Sequence, residues 1–207
     1  MNLKTIRDTV KSIVGPDTEL QVADFNVFIN EGKNNVIAKI LDERKDFFPD
    51  NESLSKTAGT ISITPTKEYS NITLIQIDFN DGAGYQTLVK STLEKVLGPN
   101  STDERGNLIF CLWGDEIQVP NWNKAYTMRI YGYVIPLDLS ADGDVPPFSS
   151  LLHNLLITWA VGRSVESNSA SENFLDGSRK RQEFWDTLAE LLPTVMEKDS
   201  TNIRSLT

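Results

Sequence analysis

Residues 72–79 read Ile-Thr-Leu-Ile-Gln-Ile-Asp-Phe, largely alternating apolar and polar, and Asn80-Asp81-Gly82 follows at once. A period of two puts alternate side chains on opposite faces of a half-buried strand, and Asn-Asp-Gly tolerates a tight reversal. A β-strand and turn are therefore predicted in the middle of the chain. Working outward, Thr60-Ile61-Ser62-Ile63-Thr64 alternates in the same way and stops at Pro65. Further strands are predicted at 107–113 and 116–119, joined by Gly114-Asp115. Another runs over 126–135, where Tyr126, Met128, Ile130 and Gly132 alternate with Thr127, Arg129 and Tyr131. A short helix is predicted over 86–97 from Leu88, Leu93, Val96 and Leu97, with Gly98-Pro99 as its stop.

On both sides of this β-rich stretch the apolar period becomes helical. Leu3, Ile6, Val10 and Ile13 predict a helix over 3–14, stopped by Gly15-Pro16. Val22, Phe25, Ile29, Val36, Ile37, Ile40 and Leu41 predict a longer helix over 22–46, closed by Pro49. Phe148, Leu151, Leu152, Leu155, Leu156, Trp159 and Ala160 predict a helix from 147 whose wide apolar face makes it central. A last helix, 168–192, carries Phe174, Trp185, Leu188 and Leu192 and is expected to end at Pro193. Strands grouped between helix pairs point to an α+β fold. The expected architecture is a helical bundle built from the N- and C-terminal helices, with a β-rich insertion between them. The expected divisions are 1–50, 51–146, 147–193 and a flexible tail, 194–207.

The formal net charge is −9. Residues 49–144 hold seven basic and thirteen acidic groups, net −6, most of the excess. Such a surface argues against gripping a phosphate backbone, which requires clustered Lys and Arg. No apolar run approaches the roughly 18–20 residues that span a bilayer, and the N-terminus lacks a signal-peptide core. Folding in the cytoplasm is expected.

Catalytic equipment is sparse. One cysteine, Cys111, lies in the apolar run 108–113, and one histidine, His153, lies in a helical stretch. Both read as buried packing residues, and neither a catalytic residue nor a metal ligand is expected. Asp138, Ser140, Asp142 and Gly143 match the first half of a helix–loop–helix calcium loop, but Ser149 stands where the bidentate Glu belongs. An acidic turn is the simpler reading. Gly82-Ala83-Gly84 lacks the third glycine of a dinucleotide loop. Asp115-Glu116 reads as a solvated hairpin tip. No cofactor and no enzymatic activity are expected. Arg179-Lys180-Arg181 is the single basic run; it reads first as a solvated helix face, with a contact to an acidic protein partner or to DNA at close range as the alternative. Trp122, within Pro120-Asn121-Trp122-Asn123, reads as an exposed loop tryptophan suited to an interface.

The order of segments resembles the head–tail adaptor (connector, or head-completion) proteins of tailed bacteriophages. The likeness runs through residues 24–31 on the second helix, 74–79 with 84–88, and the hairpin Gly114-Asp115-Glu116-Ile117. It continues through the strand exit 131–136, the loop 137–146 and the pattern from His153 to Ala160. Gly32 departs from it, standing where the family pattern prefers alanine. The resemblance implies a virion protein of the neck, assembled in the host cytoplasm. It implies a homo-oligomeric ring of about twelve subunits under the portal protein, touching the next tail component. DNA would pass through the channel without specific binding, an acidic β-rich part facing the lumen and repelling it. It also implies that the C-terminal segment docks on the portal, with Ile203, Arg204 and Leu206 as anchor points. Another neck ring or stopper protein, or a glycan- or receptor-binding virion module, remains an alternative.

Overall fold

In a computed structural model the described residues are 1–15, 20–99, 102–167 and 171–203, with the side chains of 171–175 and 198–203 outside the description. The fold is mixed α+β, with five α-helices and two sheets among these residues. The chain forms two compact units. One joins the residues up to Glu43 with those from Leu137 onward; the other is Arg44–Pro136.

The first unit is helical. Helix α1 (Leu3–Val14) buries Leu3, Ile6 and Val10, and α2 (Val22–Glu43) buries Phe25, Phe28, Ile29, Val36, Ile37 and Ile40. A 3₁₀ turn, Ser150–Leu152, leads into α4 (His153–Ser167), against which α1, α2 and α5 (Ser171–Ile203) all pack. This central position is what the wide apolar face of the 147–160 stretch predicted. Two glycines set the α4–α5 approach. A Cβ at Gly177 would stand 2.6 Å from the Gly162 carbonyl oxygen, and one at Gly162 would stand 3.0 Å from that of Gly177. Gly32, the departure noted above, lies under the Trp159 ring, where a Cβ would meet the side chain at 3.0 Å.

Helix α5 corrects two expectations. Pro193 lies inside the helix instead of ending it, and the segment after it is helical to Ile203 instead of a free tail. Proline forfeits one backbone hydrogen bond and strains the preceding turn. Here it faces solvent, while Phe184, Leu188, Leu192 and Val195 continue one buried stripe past it. Each such side chain contributes about 1.5–3 kcal/mol on burial, enough to carry the helix through the defect.

The second unit is β-rich. One sheet has the order β1-β8-β3-β4, from Pro49–Lys56, Tyr126–Val134, Tyr69–Asp78 and Gln86–Thr87. The other has the order β2-β7-β6-β5, from Ser62–Ile63, Glu116–Gln118, Ile109–Trp113 and Val89–Lys90. Ile75, Ile77, Met128 and Ile130 of the first sheet share a core with Ile63, Phe110 and Ile117 of the second. On the far face of the second sheet, α3 (Leu93–Leu97) lays Val96 over Ile109 and Cys111.

The helix expected over 86–97 shrinks to α3. Before it, the chain crosses from sheet to sheet: Leu88 N donates to Ile75 O at 2.9 Å, and Val89 N donates to Leu108 O at 2.8 Å. Leu88 is buried between them, so its apolar character reports a crossing strand and not a helix face. Strand β1 begins where Pro49 was expected only to close a helix. Its partner β8 satisfies its backbone over eight registered pairs.

Candidate functional site

The loop 137–146 is built into the helical unit, and its carboxylates do not converge. Lys33, fully buried on α2, donates to Leu137 O at 2.8 Å and to Asp138 Oδ1 at 2.9 Å. Asn30 clamps Leu139 from both sides, its Nδ2 donating to the carbonyl at 3.0 Å and its Oδ1 accepting from the amide at 2.9 Å. Arg7 of α1 pairs with Asp142 at 2.8 Å. Asp144 accepts from the Ser140 and Ala141 amides at 2.7 and 2.8 Å. The main chain of the loop in turn accepts from the first turn of α1: Leu3 N to Asp144 O at 2.8 Å, and Lys4 N to Asp142 O at 3.1 Å. Those amides have no partner within their own helix. The Lys33 hydrogen bond holds the Asp138 carboxyl below its ordinary pKa, and the backbone amides do the same for Asp144. With each acid committed to a different partner, the segment acts as a strap, and no group of acidic, His or Cys side chains among the described residues forms a metal site.

His153 is buried, with Nε2 at 3.1 Å from Phe148 O and Nδ1 at 2.7 Å from the Met1 amine. A carbonyl can only accept, so Nε2 carries the proton and Nδ1 accepts from the ammonium. Burial pushes the His153 pKa below its ordinary value, and the adjacent ammonium charge pushes the same way. Cys111 is buried in β6, in the β-rich unit, whereas His153 lies in the helical one.

The basic run on α5 is neutralised within the chain. Arg179 pairs with Asp176 at 3.3 Å, Lys180 with Glu183 at 2.8 Å and Arg181 with Glu166 at 2.8 Å. Glu166 is nearly enclosed and also meets Arg163, which reaches Glu31 at 2.9 Å. Arg181 therefore ties α5 to α4, while Arg179 and Lys180 remain on the surface.

The loop tryptophan is buried and the strand tryptophan is exposed. Trp122 is buried, its ring edge-on to Phe79 and Tyr126 at 5.4 and 5.1 Å, which corrects the expectation of an exposed interface residue. Its carbonyl accepts from Gly59 N, so the loop folds inward over the core. Trp113 is the exposed one, at 62%. It shares the α3-facing side of β6 with Ile109 and Cys111, but lies beyond the helix at the hairpin turn. The acidic excess is also redistributed. The β-rich unit proper carries nine basic and eleven acidic groups, net −2, because Asp138, Asp142 and Asp144 belong to the strap and Arg44, Lys45 and Asp46 add one net positive charge. Of the expected docking residues, Ile203 is the last helical residue of α5, its side chain undescribed, and Arg204 and Leu206 lie outside the described residues.

Residues 1–205 match the family model of the SU10 adaptor protein. The chain belongs to the SU10 adaptor protein family. That is a family of phage head–tail adaptors, so the resemblance read from segment order holds. None of the curated proteins compared with it matches. An adaptor of this family is a structural phage protein, with portal and tail components as its general class of partner. Among the described residues, no helix is long and apolar enough to cross a membrane.

Proposed function

We propose that the protein forms a homo-oligomeric ring docked on the portal protein, extends the DNA channel toward the tail, and presents a surface to the next neck component. The match to a phage adaptor family over residues 1–205 carries this reading. The self-neutralised basic run on α5 and the net negative chain favour passage of DNA over binding. Docking is assigned to the C-terminal end, beyond Val195, the last buried side chain among the described residues of α5, with Ile203, Arg204 and Leu206 as its anchor points.

The test is sedimentation of the purified chain with purified portal rings. Co-sedimentation as a stable ring complex supports the proposal; separate sedimentation at every concentration tried refutes it. A chain ending at Lys198 keeps Val195 in the helical core and so remains folded. It is expected to lose portal binding, and undiminished binding would refute the C-terminal assignment.

A further inference from the structure

Strand β3 pairs with β4 only at Gln76 and Ile77, so along Tyr69–Ile72 the edge turned away from β8 has no paired strand among the described residues. A cleft of about 440 Å³ runs past this edge, between the 64–68 connection and the β6–β7 hairpin with Leu112, Asp115, Glu116 and Ile117. Its rim is negative: Glu68, Asp115 and Glu116 face one cation, Lys67, which Asp50 holds at 2.7 Å. Behind its wall lies Glu52, itself buried, with Oε2 bound to the Thr66 amide at 3.0 Å. Glu52 Oε1 and the Tyr69 hydroxyl are also buried, and neither makes a well-formed hydrogen bond.

An open strand edge offers main-chain hydrogen bonds to an extended peptide, and alternate side-chain positions beside it provide selectivity. We propose that this cleft binds an extended, basic segment of a partner polypeptide, added as a strand beside Tyr69–Ile72. Its Lys or Arg side chains meet Glu68, Asp115 and Glu116, and its apolar residues meet the half-buried Leu112 and Ile72. Four residues of strand span about 10–13 Å, so the segment needs only three or four residues in contact. The charge complementarity selects a basic chain over an acidic one. The inference concerns the β-rich unit alone and does not depend on portal docking.

The probe is a blocked hexapeptide alternating lysine and valine, titrated into the full chain and followed by calorimetry and by amide exchange. Saturable binding that weakens with salt, with slowed exchange at Tyr69–Ile72, is expected. The Glu–Val counterpart should not bind. The double variant Glu68→Lys with Asp115→Lys, both sites exposed, should lose about tenfold or more in affinity while its circular dichroism stays unchanged. Trp113→Ala, on the opposite face of β6 from Leu112, should leave the affinity unchanged. Absence of saturable binding, equal binding of the acidic peptide, or protection elsewhere would overturn the proposal. So would loss of self-association in the double variant with peptide affinity intact, which would make a second copy the occupant.

Discussion

Replacing Gly177 with alanine tests the helical unit most sharply, because two effects oppose each other there. In an exposed helix, Gly→Ala stabilises by about 1 kcal/mol through backbone entropy. At Gly177 the added methyl would stand 2.6 Å from the Gly162 carbonyl oxygen and 2.4 Å from Glu166 Cγ. The carbonyl belongs to the α4 main chain and cannot rotate away, so the helices must separate. Separation disturbs the Trp159–Phe184 contact at 5.0 Å and the Arg181–Glu166 pair at 2.8 Å. Overpacking of a close contact costs about 1–3 kcal/mol, and loosening the half-buried pair adds to it. The net expectation is a loss of about 1–2 kcal/mol after the propensity gain is subtracted. Gly143→Ala is the control, since a Cβ there has open space; it should change stability by less than about 0.5 kcal/mol. Urea unfolding followed by far-ultraviolet circular dichroism measures both. A Gly177→Ala chain more stable than the parent would refute the close α4–α5 crossing.

Three further outcomes follow from the same structure. Trp122→Ala should cost about 3–5 kcal/mol, whereas Trp113→Ala should stay within about 0.5 kcal/mol, both read by urea unfolding; equal effects would contradict this difference in burial. Lys33→Met leaves Leu137 O without its charged donor and should cost about 1–3 kcal/mol, with faster amide exchange across 137–144 as the local signature. For His153, the folded-state pKa lies below the ordinary 6.5, so the unfolded chain takes up the proton first. Stability is therefore complete above about pH 6.5 and declines as the pH falls below it, and His153→Gln should flatten this slope in thermal melts at pH 5 to 7.

Where one face of an element is buried and the other wet, its sequence declared it. Helix α1 and strand β8 alternate cleanly, and their expected spans agree with the fold to within a residue. Strand β1 was not legible because its most buried residue is Glu52, a carboxylate that reads as solvent-facing until Thr66 is seen to bind one of its oxygens. Strands β4 and β5 have two residues each, too short to show a period, and the apolar points around them mimic a helix. Proline 193 carries a stop signal that local propensity predicts and tertiary burial overrides. The strap illustrates the limit for sites. Its acidic residues suggested a cation loop, and only the fold shows Lys33, Asn30 and Arg7 arriving from more than a hundred residues away. Gly32 did carry a signal: a glycine within an apolar helix stripe marks close approach, here by Trp159.

The most direct measurement of the central claim is a cryo-electron microscopy reconstruction of the neck of the phage that encodes this chain. A ring of copies between portal and tail is expected, with each copy's helical unit and β-rich unit fitting the density and α5 directed toward the portal. A neck in which neither unit fits any density, or particles that lack the chain, would contradict it.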